Sequence, residues 1–330
     1  VSPEIQQLTN KGGKFAKRAA ELGKTVESYR DLLDNFVPET LPVYTDKGFD
    51  HEIGDFVLEN MAQQKKDGVR RGAVTFLPNK GKLFVIGDVH ERFDNVIAIL
   101  DQIQKDPKTN LDKNPDNKIV FNGDIFATSK ELNENGGVGS PDTMGGEAML
   151  RFMGYLMARY PDQIFMNNGN HEMGVLLALK KRQDPEWESA QPTHTGAFKD
   201  LPREKLGVSN IPFLLGLIKN NSLAVVVGDK SKGEKTRVIT HTAGEVNKNA
   251  SIEGLAEAND PMEWREKYYS VYNGWSDLSP KGLQAMTKKM GADKLYFGHL
   301  DPSVMSGKIG SEAMPLRSTG TPIGEYKGGG

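Results

Sequence analysis

Cysteine is missing altogether from these 330 residues. Its absence excludes disulfide staples, a thiolate zinc site and a cysteine nucleophile. Neither sign of charge is in excess, with 42 Lys and Arg against 44 Asp and Glu for a formal net charge of −2. Nucleic-acid binding through bulk electrostatics wants a basic surface, so no nucleic-acid partner is expected. Long apolar runs are lacking too. The longest, near residues 223–227, falls far short of the ~20 residues that span a bilayer. The first residues carry charge with no apolar stretch behind them, so no signal peptide is expected. A cysteine-free chain without these signals fits the cytoplasm. Histidine is scarce, at six residues, which makes each placement informative.

What is present describes a globular protein, at 37% apolar and 26% charged residues, long enough for one large domain or two ordinary ones. Residues 3–22 and 24–36 carry amphipathic helical spacing, and a third helical stretch is expected around 55–65. Residues 1–80 are read as a helical extension or cap, and 81–330 as the main domain. From Lys82 onward, short apolar runs of strand length alternate with helical patterns. Strands are expected at 83–86, 119–121, 163–166, 223–227, 237–240 and 294–297, with helices at 93–103, 143–159 and from 175. This alternation predicts an α/β architecture. Two segments break the rhythm, 129–146 and 181–212, and long irregular stretches of this kind are expected to shape a substrate groove.

Five of these strands end in polar residues suited to hard metals. The first runs into Gly87-Asp88-Val89-His90, the second into Asn122-Gly123-Asp124, and the third into Asn167-Asn168-Gly169-Asn170-His171-Glu172. The fourth leads to His241-Thr242-Ala243-Gly244 and the fifth to Gly298-His299. Sites in open α/β sheets form beyond the carboxyl ends of strands, so the five would converge. Carboxylate, imidazole and amide oxygen suit Mn, Fe, Zn or Mg, and a carboxylate can bridge two cations that clamp an in-line displacement. Four of the six histidines, His90, His171, His241 and His299, stand at these ends. Packing alone does not explain that placement.

The ordered set Gly-Asp-Val-His, Asn-Gly-Asp, Gly-Asn-His-Glu, His-Thr-Ala-Gly and Gly-His resembles the calcineurin-like metallophosphoesterase superfamily, most closely its phosphoprotein phosphatase branch. Trp275-Ser276-Asp277 is similar to a tripeptide of that branch, and the likeness covers about residues 82–304. The resemblance implies a four-layer α-β-β-α sandwich of two mixed sheets. It implies two divalent ions, Mn2+ first among Mn, Fe, Zn and Mg. Asp88 and His90 would hold the first ion, Asp124 would bridge, and Asn170, His241 and His299 would complete the second. A metal-activated water would attack phosphorus, and His171 would act as general acid on the leaving group.

The chain departs from the branch at Ala127 and Thr128, where the family carries an Asp that orients the acid His and an Arg that holds phosphate. Both roles are open here. Arg92 and Lys281 are candidates for the phosphate, with Arg182 behind them, because cationic forks and points suit phosphate oxygens. Asp301 stands where phosphodiesterases and nucleases of the superfamily place a second His, which favours a phosphatase. The leading reading is a phosphomonoesterase acting on phosphoserine or phosphothreonine proteins, with phosphotyrosine as a further substrate. A dinucleoside polyphosphate hydrolase and a pseudo-phosphatase binding module are the alternatives. The altered clamp and helical extension are similar to phosphatases that intracellular bacteria deliver into host cells. The oligomeric state is not legible.

Overall fold

The structure is a computed structural model of the whole chain. It describes residues 51–90, 93–126, 146–174, 176, 211–243, 251–268, 271, 280–299 and 313–315. The helices expected at 3–22 and 24–36 lie outside these residues, as do nearly all of the segments 129–146 and 181–212.

In chain order the elements are α1 (His51–Lys66), β1 (Arg70–Arg71), β2 (Val74–Leu77), β3 (Leu83–Ile86), α2 (Phe93–Lys105), β4 (Lys118–Phe121), α3 (Gly146–Arg159) and β5 (Ile164–Met166). They continue as α4 (Ile211–Asn220), β6 (Ala224–Val227), β7 (Arg237–Thr240), α5 (Ile252–Glu257), α6 (Pro261–Lys267), α7 (Pro280–Lys289), β8 (Lys294–Phe297) and β9 (Ala313–Pro315). Two sheets result. One has the order β1-β2-β6-β7-β8-β9, the other β3-β4-β5.

The larger sheet is mixed: β2 runs parallel to β6, β6 antiparallel to β7, and β7 parallel to β8. Among the described residues the smaller sheet is parallel throughout, where the resemblance had implied two mixed sheets. Consecutive residues on a strand face opposite sides, and here both sides are apolar. Val120, Phe165, Val225, Val227, Ile239 and Leu77 form one cluster, drawn from both sheets. Their neighbours Ile119, Phe121, Ile164, Met166, Ala224, Val226 and Val238 belong to a second, larger cluster shared with helix residues such as Leu100, Met153, Leu156 and Leu214. The small cluster is the layer between the sheets and the large one lies under the helices. This is the α-β-β-α sandwich.

Residues 70–77 correct the expectation for the N-terminal region. They form β1 and β2, and β2 lies inside the larger sheet beside β6. Helix α1 packs on α3 and α4. The strand was hidden because four residues, Val-Thr-Phe-Leu, carry too little periodicity to stand out beside a helix of sixteen. Helix α4 is a second difference: it begins at Ile211 and Pro212, the last two residues of the segment expected to be irregular, and no element is expected from the sequence over 213–220.

Candidate metal centre

Strands β3, β4 and β5 run parallel and end together at Ile86, Phe121 and Met166. Strands β7 and β8 run parallel and end at Thr240 and Phe297. Each of the five polar tails therefore leaves one edge of the sandwich. Buried asparagines tie the two sheets together behind that edge. Asn122 Nδ2 donates to the Thr240 carbonyl at 2.8 Å. Asn167 Nδ2 donates to Asn122 Oδ1 at 2.9 Å and to the Ile239 carbonyl at 3.1 Å. The sequence gives these residues no visible mark, because an Asn after a strand reads as turn chemistry.

The turns that follow are sharp. His90, Asp124 and His299 take positive φ angles of 47°, 49° and 70°. For residues with a Cβ this region costs of order 1–3 kcal/mol each and gathers at functional sites. Here it re-aims three side chains inward. The loops are held by one another: Val89 and His90 donate their N–H groups to the Asp124 carbonyl at 2.9 and 2.8 Å. The His299 N–H donates to Asp88 Oδ1 at 3.1 Å. Gly169 cannot be larger, since a Cβ there would lie 2.2 Å from Asp124 Oδ1.

Two groups of ligand atoms form, each with all members within 4.8 Å of one another: His90, Asp124 and His171, and Asp124, His241 and His299. Asp124 is common to both. Its Oδ2 lies 3.6 Å from His171 Nε2, 3.3 Å from His241 Nε2 and 4.0 Å from His299 Nδ1. Asp88 reaches the centre through Oδ2, 3.9 Å from His90 Nε2, while its Oδ1 lies behind the His241 ring, 3.8 Å from Nδ1. The inward atom of the Asn170 amide lies 2.9 Å from His299 Nδ1, 3.2 Å from His241 Nε2 and 3.1 Å from Asp124 Oδ2. As an amide nitrogen it can donate to the Asp124 carboxylate. As an oxygen it can accept from a protonated His241 Nε2 or ligate a cation. All seven residues expected at the site are thus brought together.

Two ring tautomers are fixed from behind. His241 Nδ1 lies 2.7 Å from the Asn122 carbonyl and His171 Nδ1 lies 2.6 Å from the Phe126 carbonyl. A carbonyl only accepts, so Nδ1 carries the proton in both and Nε2 faces the cluster. That is the arrangement of metal-ligating histidines.

Electrostatics follow from burial and crowding. Burial lowers the pKa of His241, but the charge and hydrogen bond of Asp124, with the charge of Asp88, carry it up to about 10. Burial raises Asp124, yet His171 and His241 outweigh that and hold it well below the usual carboxylate range. An ion entering the centre takes over the role of the proton on His241. A hard N and O donor set, buried and without thiolate, fits divalent cations of the Mn, Fe, Zn and Mg kind.

Glu172 is a residue whose role the sequence left open. It is fully buried. Its Oε2 accepts the N–H groups of Asp124 and Gly169 at 2.8 and 2.7 Å, and its Oε1 those of Ile125 and Phe126 at 2.8 and 3.5 Å. Burial and the nearby Asp124 charge push its pKa up, against the Gly169 N–H and the His171 and His241 rings. Four N–H donors on two oxygens suit the ionised form. A Glu three residues after a helix-capping position, as in Gly169-Asn170-His171-Glu172, is the half capping box that could have signalled this.

Of the phosphate candidates only Lys281 is among the described residues. Arg92 and Arg182 lie outside the described residues, as do Ala127, Thr128, Trp275-Ser276-Asp277 and Asp301. Lys281 is exposed on α7 and lines a surface pocket with Gln284, Lys288, Asp293 and Lys230, none of them a member of the centre. Among the described residues no helix is long and apolar enough to cross a membrane.

The family model for calcineurin-like phosphoesterases matches residues 81–301 of the chain. No curated protein matches it. Among solved structures, a protein serine/threonine phosphatase from Saccharomyces cerevisiae with similarity to human phosphatase PP5 shares 14% identity, covering 88% of this chain and 86% of that one, with a TM-score of 0.49. A cold-active protein-tyrosine phosphatase of a psychrophilic Shewanella species shares 15% identity over 73% of this chain and 72% of its own, with a TM-score of 0.44. A chain described as a diadenosine tetraphosphatase shares 15% identity over 75% of this chain and 88% of its own, with a TM-score of 0.35. Likenesses this distant do not bear on substrate.

Proposed function

This chain belongs to the calcineurin-like phosphoesterase family, and within that family we propose that it is a metal-dependent phosphomonoesterase acting on phosphoserine and phosphothreonine in proteins, with phosphotyrosine as a further substrate. The observation that carries the reading is the pair of ligand groups sharing Asp124, a geometry suited to two divalent ions, Mn2+ first among them. Asp88, His90 and Asp124 would hold one ion; Asp124, Asn170, His241 and His299 would hold the other. Bound there, such ions lower the pKa of water and neutralise charge developing on the phosphoryl oxygens.

The chain's own groups supply the rest. Asn122 and Phe126, through their carbonyls, keep Nε2 of His241 and of His171 turned inward. His171 stands beside His90, ring centroids 4.8 Å apart, where an imidazole can either ligate or deliver a proton. We assign it the proton: with Nδ1–H held by Phe126, the imidazolium passes its Nε2–H to the leaving oxygen as the P–O bond breaks, a contribution of typically 10²–10⁴-fold. Asp301, in place of a second His after Gly298-His299-Leu300, favours a phosphatase over a nuclease.

Metal-reconstituted protein assayed on pSer, pThr and pTyr peptides beside dinucleoside polyphosphates tests the reading, with metal content measured by mass spectrometry. Turnover of the peptides is expected, and turnover of the dinucleotides alone would refute it. His171→Ala should keep both ions and lose turnover. If it loses an ion instead, His171 is a ligand and not the proton donor.

A further inference from the structure

Position 127 is an alanine and offers no side-chain acceptor to the His171 ring. The ring is nonetheless anchored, through the 2.6 Å contact between Nδ1 and the Phe126 carbonyl. A backbone carbonyl can orient an imidazole only if the backbone that carries it cannot turn. The segment 124–126 is gripped on both sides. Its Asp124 carbonyl accepts the N–H groups of Val89 and His90 at 2.9 and 2.8 Å. Its Asp124, Ile125 and Phe126 N–H groups all point at Glu172. Glu172 also takes the Gly169 N–H at 2.7 Å, so the same carboxylate starts the helical turn that bears His171. The loop that aims the ring and the turn that carries it therefore share one anchor.

From this geometry we infer that Glu172 is a positioning residue for proton transfer: it fixes the Phe126 carbonyl and His171 relative to each other, so that Nδ1 stays protonated and Nε2 faces the leaving group. The inference rests on the assignment of His171 as proton donor made above. In the step it serves, a water-derived oxygen forms the new bond to phosphorus and the bond from phosphorus to the ester oxygen breaks. His171 enters the step as the imidazolium, with Nδ1–H on the Phe126 carbonyl and Nε2–H towards the leaving oxygen. That oxygen takes the Nε2 proton and leaves as the alcohol, and the neutral imidazole keeps its Nδ1 proton against Phe126. A neutral carbonyl decides which of the two protons leaves without placing a second full charge beside the ring, as a carboxylate would.

A positioning role is separable from a purely structural one by the leaving group. A phosphoserine peptide departs as an alkoxide and needs the proton, whereas 2,4-dinitrophenyl phosphate departs as a stable phenolate and does not. In metal-loaded protein, Glu172→Gln should lower kcat on the peptide by roughly 10-fold or more, a part of the ~10²–10⁴-fold that general acids contribute. It should leave kcat on the dinitrophenyl ester within about threefold, in line with the same dependence on proton demand, with KM and metal content unchanged. Equal losses on both substrates, or none on either, overturn the inference. So does loss of metal by the variant, which would assign Glu172 to the metal cage. A wild-type protein that binds metal yet hydrolyses neither ester defeats the phosphomonoesterase reading itself. As a measurement that needs no Glu172 variant, nitrogen NMR of magnesium-loaded wild type, assigned against His171→Ala, should show His171 protonated at Nδ1. Protonation at Nε2 alone would overturn the anchoring by Phe126.

Discussion

Asp124 concentrates the demands placed on single residues here. It takes a left-handed backbone at φ 49°, is nearly devoid of solvent contact, and stands in both groups of ligand atoms. Replacing it with Asn keeps the shape and removes the charge that two cations would share. Asp124→Asn should therefore strip both ions together, whereas His90→Ala and His299→Ala should each weaken one. Metal counted per chain by mass spectrometry checks this. His241 carries the second prediction at this scale. In metal-free protein its pKa is raised to about 10 from an ordinary 6.5, so the folded state holds a proton that the unfolded chain releases near neutrality. The stability contributed by this proton is full below about 6.5 and is lost as pH climbs towards about 10. Thermal melts of chelated protein across that window should fall with pH. Metal-loaded protein should lack this fall, because an ion then replaces the proton, and its binding should weaken on acidification.

At the scale of elements, what matters is that five strand ends from two sheets meet at one edge. Apolar contact between the sheets, through Val120, Phe165, Val225 and Ile239, sets their distance but not their register. Register along the site comes from the asparagine bridge, Asn167 to Asn122 and Ile239, and Asn122 to Thr240. Directional hydrogen bonds inside a dry layer cost heavily when broken on one side only, about 1–3 kcal/mol for each buried group left unpaired. Asn167→Ala should accordingly destabilise the protein by about that amount in denaturant unfolding. It should also lower metal affinity, read by titration, because β5 and β7 then lose their common pin. A Leu77→Ala change in the same inter-sheet layer should destabilise without that selective loss of metal.

For the whole molecule, the centre is a crosslink between two sheets as well as a site. The proposed ligands Asp88, His90, Asp124 and Asn170 follow strands of the smaller sheet, and His241 and His299 follow strands of the larger. Ions bound between them favour the folded state by mass action, by about 2.7 kcal/mol at a hundredfold excess over Kd. Chelation should lower the melting temperature by several degrees, and a divalent ion added back should restore it.

The chain itself determined the chemistry. Short apolar runs punctuated by glycine and hard ligands mark strand ends wherever the chain folds, since strand length, turn residues and donor type are local properties. The gathering of Asp88, His90, Asp124, Asn170, His171, His241 and His299 at one edge was legible for that reason, and so was the alternating α/β plan. Strand β2, helix α4 and the asparagine bridge were not. A four-residue strand or a buried polar contact takes its meaning from partners more than a hundred residues away, as Asn122 does from Thr240. The same holds for Glu172 and Phe126. Only the folded chain sets a carboxylate against three successive backbone N–H groups from another loop and turns one carbonyl to the ring of His171, because such contacts depend on where two distant segments come to rest in space.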